Sequence, residues 1–394
     1  MNTFWRTWTI RMLRVSLFFA ALLAGAQALA AVPVPPAPPV DAASYVLMDF
    51  QTGRVLAAKD DTAAREPAST TKLMTAYVVF QDLESGRISL DTKFGVSKKA
   101  WKQIGSRMFL KPGSKVSVNE LLQGMLIPSG NDAAMTLAEG VGGTEAGFVN
   151  MMNANAKTLG LHDSRYFDPA GLDPRDRTSA LDLAKLSRAL IRDFPQYYHY
   201  FSEKEFTWNK IHQYNWNKLL WLNPSSDGLK TGFTTNAGYC LASSAKQGAQ
   251  RMIAVVMGVP GHSKDDMANY RHLAQVSESL LDYGFRFYET HQLYAGGKVL
   301  GKVRVWKGAD KYVNVGPAKP VYVTAARGHF NELKINTQIK SKAPAPVKAG
   351  EVLGKVTVTD PTGKEVTSAP LVAQAAVGSG GLWAKIRDTI LGWF

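Results

Sequence analysis

The apolar positions of the chain change their spacing several times, and the first change separates a strand hairpin from a helix. Residues 45–50 and 54–58 are mostly apolar and flank a Gln-Thr-Gly turn, a pattern typical of two antiparallel strands. From residue 69 to about residue 80, apolar side chains recur at helical spacing between Pro67 and Gly86. Proline favours the start of a helix and glycine favours its end, so this segment is predicted to be a helix.

Further helices are predicted where capping residues accompany apolar ones. Ser117 and Glu120 have the spacing of a capping box for a helix over residues 121–127, and Pro128 ends it. The same criteria predict two more helices, at residues 133–139 and 185–192.

From residue 229 the pattern becomes that of strands, followed by one long helix. Strands are predicted at residues 239–245 and 251–257, with a hairpin turn between them. A helix is predicted over residues 267–283, with Gly284 at its end. Because strands lie at both ends of this region with helices between them, we predict an α+β domain in which helices pack on an antiparallel sheet.

After about residue 291, short alternating strands and Gly/Pro turns replace the helical spacing. Residues 297–305 and 350–358 share the pattern Gly-x-Val-Leu-Gly-Lys-Val-x-Val. We interpret the pair as a hairpin-level repeat inside a small β-sandwich.

The N-terminus has the pattern of a secretory signal. Three arginines, with no acidic residue among them, precede an apolar stretch at residues 15–26, and an Ala-x-Ala cleavage site ends at Ala30. We therefore predict a signal peptide over residues 1–30 and an exported protein. The alternative is an uncleaved membrane anchor, for which the apolar stretch is short.

The C-terminus has the pattern of an amphipathic helix. Residues 378–381 are glycine-rich and are predicted to form a flexible linker, and residues 382–394 follow it. At 100° per residue, one face of this tail is apolar and aromatic while Lys385, Asp388 and Thr389 lie opposite. Such a helix is predicted to lie in a membrane interface without spanning the bilayer. The alternative is a helix docked on the protein's own core.

Composition and charge limit the class of protein. The 394 residues are 45% hydrophobic and 20% charged, which is enough for two domains that each have a core. The net charge of +14 is scattered and contains no block typical of a nucleic-acid-binding tail, so no nucleic-acid partner is expected. A basic surface also suits anionic lipid or an anionic wall polymer.

The single cysteine, Cys240, rules out an intramolecular disulfide. A lone cysteine is a candidate nucleophile. Its neighbours have the pattern of a strand interior, so we expect the nucleophile elsewhere.

The segment Ser69-Thr70-Thr71-Lys72 offers a nucleophile and its base. Side chains at i and i+3 of a helix share one face, so the Lys72 amine is predicted to lie beside the Ser69 hydroxyl. Serine needs such a base, and lysine can act as one only if burial or a neighbouring cation lowers its pKa. Lys230 could supply that second charge.

Two more motifs follow in order, Ser129-Gly130-Asn131 on a predicted loop and Lys230-Thr231-Gly232 on a predicted strand. The order suits a serine nucleophile, a proton relay and a strand that binds a substrate carboxylate. Gly232, without a Cβ, is expected to let a substrate approach that strand closely. The Ser-x-x-Lys pattern recurs at residues 243–246, which we interpret as chance. The Ser-x-Asn pattern recurs at residues 117–119, where we interpret it as a helix cap.

These motifs resemble those of the low-molecular-mass penicillin-binding proteins, the D-alanyl-D-alanine carboxypeptidases of serine peptidase family S11. The resemblance covers almost the whole chain, and its signatures lie at residues 67–72, 108–113, 129–133, 227–234 and 283–287. It implies a β-lactamase/transpeptidase-like catalytic domain at residues 40–289, a β-sandwich at 291–377 and a membrane-anchoring helix at 382–394. It also implies a location on the periplasmic face of the bacterial inner membrane, with no metal or organic cofactor.

The resemblance implies the following chemistry. Ser69 would be acylated by the penultimate D-Ala of a peptidoglycan stem pentapeptide, and β-lactam antibiotics would acylate the same hydroxyl. Lys72 would take the serine proton, and Ser129 would relay protons to the leaving D-Ala or to the deacylating water. The backbone N–H groups of Ser69 and Phe233 would form the oxyanion hole.

It also implies the substrate contacts. Asn131 would hold the substrate amide, and Lys230 and Thr231 would bind the terminal carboxylate. This chain departs from the family pattern in having Phe233 where some relatives have histidine, and Trp216 where relatives often have arginine. Arg271 is a displaced candidate for the helix arginine that assists carboxylate binding in relatives.

Three alternative functions stay open from the sequence. A class A β-lactamase would need a loop glutamate between the second and third motifs, and no glutamate there has a recognisable loop signature. An endopeptidase that cuts peptide crosslinks could use the same residues. A membrane-tethered, non-catalytic wall-binding protein would bind penicillin poorly and release no D-alanine.

Overall fold

A computed structural model describes residues 34–383 of the chain. The predicted signal peptide, residues 1–30, lies outside the described residues. The predicted tail helix, residues 382–394, also lies outside them except for its first two positions. Among residues 34–383, no helix has both the length and the apolar character needed to cross a bilayer.

The N-terminal part of the described chain alternates strands and helices. Its strands are β1 (Ser44–Asp49), β2 (Val55–Lys59), β3 (Lys93–Gly95), β4 (Lys115–Ser117), β5 (Glu205–Trp208), β6 (Ile211–Tyr214), β7 (Ser226–Thr234), β8 (Gly238–Gln247) and β9 (Gln250–Val259). Its helices are α1 (Lys72–Glu84), α2 (Lys98–Trp101), α3 (Val118–Leu126), α4 (Asn131–Gly142), α5 (Glu145–Thr158), α6 (Ala180–Asp193), α7 (Leu219–Leu222) and α8 (Asp266–Phe287).

One five-stranded antiparallel sheet, in the order β2-β1-β9-β8-β7, separates two hydrophobic cores. Successive side chains of a strand point to opposite faces. Accordingly, Val46 and Met48 of β1 join the core formed with α1 and α3–α6, whereas Tyr45 and Leu47 join the core formed with α8. The predicted α+β arrangement is confirmed.

The first predicted hairpin and the first predicted helix both form. β1 and β2 pair antiparallel. Ser69 lies in a 3-10 turn, Ala68–Thr71, and α1 begins at Lys72, so Ser69 precedes the helix proper. The capping box predicted at Ser117 and Glu120 is present at the start of α3.

Two features of the N-terminal part differ from the sequence prediction. Helix α8 continues through Gly284 to Phe287. A Cβ on Gly284 would lie 3.2 Å from Leu47 and 3.3 Å from Met252, so this glycine allows close packing on the sheet and does not end the helix. Helix α5 was not predicted, although Thr144 caps its first turn.

The C-terminal part consists of strands. They are β10 (Tyr288–Tyr294), β11 (Gly301–Trp306), β12 (Tyr312–Gly316), β13 (Val321–Ala326), β14 (Lys334–Ile339), β15 (Lys342–Pro344), β16 (Val352–Thr359) and β17 (Glu365–Ala373). They form a two-stranded sheet, β10-β13, and a six-stranded sheet in the order β14-β16-β17-β12-β11-β15, around a valine-rich core. The repeated sequences fall on β11 and β16, each of which is the first strand of an antiparallel pair, β11-β12 and β16-β17.

The turn of the first hairpin contacts the C-terminal part directly. The Thr52 hydroxyl lies 2.7 Å from the Thr324 hydroxyl, and Arg54 donates to the Thr324 carbonyl at 2.5 Å. The buried Asp49 carboxylate accepts from the Thr290 hydroxyl at 2.7 Å. These bonds attach β10 and β13 to the edge of the five-stranded sheet.

Candidate active site

Ser69 and Lys72 lie together at the start of α1, as their spacing predicts. The Lys72 ammonium donates to Ser69 Oγ at 2.9 Å, to Asn131 Oδ1 at 2.6 Å and to the Ala170 carbonyl at 3.0 Å. Burial of Lys72 lowers its pKa from 10.5 to about 7, although the nearby charges of Asp168 and Asp132 oppose the shift. At neutral pH a large fraction of this amine is therefore unprotonated and beside a serine hydroxyl.

The second motif contributes a buried hydroxyl and an amide. Ser129 has φ +65°, and its buried Oγ has no hydrogen-bond partner within residues 34–383. Asn131 is the first residue of α4 and bonds to Lys72 and, through Nδ2, to the Ile104 carbonyl at 2.6 Å. The Asp132 carboxylate accepts hydrogen bonds from the backbone N–H groups of residues 108 and 110. These bonds hold the loop that contains residues 108–110 against the Ser129-Gly130-Asn131 motif.

The third motif lies on β7, an edge strand of the five-stranded sheet, beside the 3-10 turn that carries Ser69. A Cβ on Gly232 would lie 2.9 Å from the Ser69 nitrogen and 3.0 Å from the Pro67 carbonyl oxygen. The close approach at Gly232 is therefore to the backbone around Ser69. Lys230 is buried, and its pKa is lowered well below 10.5 by desolvation and by the charge of Lys72.

One cavity of about 250 Å³ brings the three motifs together. Its lining includes Ser69, Ser129, Asn131, Thr231, Gly232 and Phe233. Phe233 is 43% exposed and stacks on Tyr239, with ring centroids 4.2 Å apart. The buried Lys72 and Lys230 are not part of this lining, and neither is Arg271, which is exposed on α8.

Several residues of the site were missed by sequence reasoning. Asp168 accepts hydrogen bonds from the backbone N–H groups of residues 170–173, which positions the Ala170 carbonyl on Lys72. Trp216, Asp266 and Tyr270 line the cavity. The Asp-Pro-Ala-Gly sequence at residues 168–171 indicates a turn, but only the fold brings that turn to Lys72.

Nothing in the cavity lining forms a metal cluster within the described residues. The one group of three potential metal ligands found among residues 34–383 consists of Asp41, His262 and His272, none of which lines the cavity.

Comparison with known proteins agrees with this geometry. The family model for D-alanyl-D-alanine carboxypeptidase, peptidase S11, matches residues 31–261, and the model for the C-terminal domain of penicillin-binding protein 5 matches residues 288–379. D-alanyl-D-alanine carboxypeptidase DacC of Escherichia coli is 41% identical over 364 residues, which cover 90% of this chain and 89% of that protein.

Two solved structures are similar over most of their length. Penicillin-binding protein 5 from Haemophilus influenzae is 37% identical with a TM-score of 0.80, and the match covers 88% of this chain and 100% of that one. Penicillin-binding protein 6B from Escherichia coli is 35% identical with a TM-score of 0.70, and the match covers 87% and 98%.

The fold and the comparisons define a serine hydrolase of the penicillin-binding-protein class with an appended β-sandwich. The chain belongs to the D-alanyl-D-alanine carboxypeptidase family, peptidase S11. The enzyme class expected from the motifs, a serine-type D-Ala-D-Ala carboxypeptidase, is confirmed, as is the two-part fold. The family match favours this class over the β-lactamase considered from the sequence.

Proposed function

We propose that Ser69 is the nucleophile that removes the terminal D-Ala from peptidoglycan stem pentapeptides. The observation that carries this proposal is the buried Lys72 amine, 2.9 Å from Ser69 Oγ and with a pKa near 7. A serine becomes an effective nucleophile only when such a base is within hydrogen-bond reach.

The partners of Lys72 favour proton transfer from serine. A neutral amine has two N–H donors and one lone pair. Asn131 Oδ1 and the Ala170 carbonyl are acceptors for the two N–H groups, and the lone pair is then available to the Ser69 hydroxyl. Lys72 takes that proton as Oγ bonds to the carbonyl carbon of the penultimate D-Ala.

The collapse of the tetrahedral intermediate needs a proton at the leaving amine. Ser129 supplies a route, because its buried Oγ has no other protein partner within residues 34–383 and lines the same cavity. The proton passes from Lys72 through Ser129 to the amine as the C–N bond breaks. Water then attacks the Ser69 ester by the reverse proton route, which breaks the ester C–O bond and restores the serine.

We assign the terminal carboxylate of the substrate to Lys230 and Thr231. Burial lowers the pKa of Lys230, and an arriving carboxylate would raise that pKa again by its opposite charge. Gly232 keeps β7 close to Ser69, so an extended peptide added to this edge strand would reach the nucleophile. Asn131 keeps one N–H and one oxygen lone pair for the substrate amide.

The oxyanion hole is assigned to the backbone N–H groups of Ser69 and Phe233. Because the donor at position 233 is main chain, the replacement of histidine by phenylalanine there does not remove it. Loss of one such donor typically costs about 10²–10³ in rate. Penicillin presents the same carbonyl and carboxylate groups, so we propose that it acylates Ser69.

We propose the same domain organisation and location as the sequence predicts. The signal peptide (1–30) directs export, residues 40–289 form the catalytic domain, residues 291–377 form the β-sandwich, and residues 382–394 attach the protein to the periplasmic face of the inner membrane. The net charge of +11 that remains without the three arginines of the signal peptide and the amphipathic pattern of the tail support this placement. Arg271 stays a candidate for guiding the carboxylate, by long-range charge only.

The test is D-alanine release from a pentapeptide ending in D-Ala-D-Ala, together with labelling by fluorescent penicillin. Wild type is expected to show both, and Ser69→Ala is expected to show neither. Ser279→Ala, at an exposed position of α8, is the matched control and is expected to behave as wild type. Labelling without release would indicate an endopeptidase or a β-lactam-binding scaffold, and absence of both in wild type would overturn the assignment of Ser69.

A further inference from the structure

Three side chains that can bind metal meet near the start of α8, outside the lining of the active-site cavity. Asp41 precedes β1, His262 lies in the turn after β9, and His272 lies in the second turn of α8. One potential ligand atom from each residue lies within 4.8 Å of the other two. We propose that Asp41, His262 and His272 form a binding site for a divalent transition-metal ion, with Zn²⁺ as the preferred ion.

The separations suit a tetrahedral ion. His262 Nε2 lies 3.0 Å from Asp41 Oδ2, and the rings of His262 and His272 have centroids 4.9 Å apart. Zinc bonds to histidine nitrogen and carboxylate oxygen are about 2.0–2.2 Å long, so ligand atoms around a tetrahedral ion lie about 3.3–3.6 Å apart. This value lies between the 3.0 Å that separates His262 Nε2 from Asp41 Oδ2 and the 4.8 Å within which all three ligand atoms lie. The side chains of Asp41 and His262 are 60% and 55% exposed, so both have room to adjust.

His272 gives an independent indication of a ligand. Its Nε2 atom is buried and has no hydrogen-bond partner in the described part of the chain. Buried polar atoms are nearly always paired with protein, water or an ion. A metal bound to this side chain would give the ring a partner that residues 34–383 do not provide.

Both histidines are held in place without the metal. The Asn269 side chain accepts from the backbone N–H groups of His262 and Ser263, each at 3.0 Å, and donates to the Ser263 carbonyl at 2.9 Å and to the Tyr239 hydroxyl at 3.0 Å. Asn269 lies on α8 one turn before His272. The turn that carries His262 is therefore fixed to the helix that carries His272, which lowers the ordering cost of binding.

Asp41 belongs to a segment that is also attached to the sheet. The Ala43 N–H donates to the Met257 carbonyl at 3.0 Å, and Lys59 donates to the Ala42 carbonyl at 2.8 Å. The third ligand thus approaches from a separate piece of backbone. An ion at this point would connect the segment before β1 to the turn after β9 and to α8.

The ligand set selects the class of ion. Two imidazole nitrogens and one carboxylate suit zinc and its transition-metal neighbours, whereas Ca²⁺ and Mg²⁺ prefer sites built from oxygen. Three protein ligands leave at least one position for water. The ion would stabilise the start of α8, where Asp266 and Tyr270 line the active-site cavity, and no step of the peptide hydrolysis uses it.

The experiment uses the full chain treated with a chelator, dialysed, and titrated with Zn²⁺ by calorimetry. We expect one ion per chain, a higher melting temperature with Zn²⁺, and no response to Ca²⁺ or Mg²⁺. His262→Ala and Asp41→Asn, both at exposed positions, are each expected to weaken binding by at least about 10-fold, since even changes beyond the direct ligands cost about 10–100-fold. His272→Ala is expected to do the same.

His199→Ala is the matched control. His199 is an exposed histidine whose ring lies 3.7 Å from a Glu203 oxygen, and it belongs to no group of three ligands in the described residues. It is expected to bind Zn²⁺ as wild type does. Absence of one-to-one binding in wild type would overturn the proposal, as would binding that is unchanged in His262→Ala and Asp41→Asn. Because the readout is metal binding, its failure leaves the assignment of Ser69 untouched.

Discussion

The environment of Lys72 connects burial with reactivity at the scale of a single residue. The side chain is fully buried, and desolvation disfavours its ammonium form more than the carboxylates of Asp168 and Asp132 favour it. The balance leaves the pKa near 7. General bases are most effective when their pKa lies near the working pH, so the site suits catalysis in a near-neutral compartment.

The first prediction is a pH profile set by Lys72. The unprotonated amine is the active form, so kcat/KM for D-alanine release is expected to rise with pH and reach half its maximum near about pH 7. Steady-state rates between pH 5.5 and 9 measure it, with circular dichroism to show that the fold persists. Lys72→Arg is expected to lose activity throughout, because a guanidinium stays protonated. A half-maximum near pH 10 would contradict the assigned pKa.

Local spacing explains why this pair of residues could be predicted. Ser69, in the 3-10 turn, and Lys72, the first residue of α1, are only three positions apart, so their contact depends on local geometry alone. The Ala170 carbonyl that also binds Lys72 lies 98 positions further along the chain. Nothing in the sequence near Lys72 indicates that contact, and it follows only once the fold is known.

At the scale of elements, the loop at residues 168–173 packs against the turn that carries Ser69. The Asp168 carboxylate gathers four backbone N–H groups, which fixes the loop shape. Gly171 then lies against the 3-10 turn that carries Ser69, at a φ of +81°. A Cβ there would lie 1.8 Å from the Ala68 carbonyl oxygen. Loop and turn can approach this closely only with glycine.

The second prediction concerns Gly171→Ala. The new methyl group would force the loop away from the turn, so we expect penicillin acylation to slow by at least about 10-fold, since small displacements of reacting groups cost up to about 100-fold. Stability is expected to fall by more than the strain of a left-handed alanine, about 1–2 kcal/mol. Stopped-flow acylation and denaturant unfolding measure the two effects.

Gly350→Ala separates strain from collision. Gly350 also has φ +81°, but nothing lies within 4 Å of the position of its Cβ. The free energy of unfolding of Gly350→Ala is expected to fall only by the strain of a left-handed alanine. Its acylation rate is expected to equal that of wild type. Equal effects of the two substitutions on stability, with no effect of Gly171→Ala on acylation, would show that the contact with Ala68 has no role in the site.

Helix α8 shows where element prediction from sequence fails. Glycine normally marks a helix end, so Gly284 was predicted to end α8. In the structure that position faces Leu47 and Met252 of the sheet, where a side chain would be crowded. The periodic pattern gave the start and the type of the helix, but a packing contact with strands far away in sequence decides its end.

At the scale of the whole molecule, the catalytic part and the β-sandwich are joined by polar contacts. Thr52 and Arg54 in the first hairpin bond to Thr324, and Arg327 donates to the Phe285 carbonyl at 2.7 Å, near the end of α8. The change after about residue 291 from helical spacing to short alternating strands indicated the second part of the chain. Its attachment to the first hairpin could not be predicted, because single threonines and arginines on turns give no periodic signal.

The last prediction concerns the membrane. The linker predicted to be flexible at residues 378–381 is instead bonded to the β-sandwich, since Ser379 pairs with Gly308 and the Gly380 N–H donates to the Lys307 carbonyl at 2.8 Å. The proposed anchor at residues 382–394 therefore follows the folded part almost directly. We expect the chain without its signal peptide to sediment with vesicles that contain anionic lipid, and the same chain ending at residue 381 to stay in solution. Both are expected to release D-alanine from a soluble pentapeptide at the same rate.

Salt distinguishes the two forces that could hold the protein on a vesicle. Removal of the three arginines of the signal peptide lowers the net charge from +14 to +11. Electrostatic attraction by this charge is screened within about 10 Å at 0.1 M salt and within about 3 Å at 1 M, whereas burial of an apolar helix face resists salt. Vesicle binding by the chain that keeps residues 382–394 is therefore expected to weaken but persist at high salt. If the chain ending at residue 381 binds vesicles equally well and dissociates from them at high salt, the proposed anchor is wrong. That result would show that the basic surface of the folded part binds the membrane and that the tail does not.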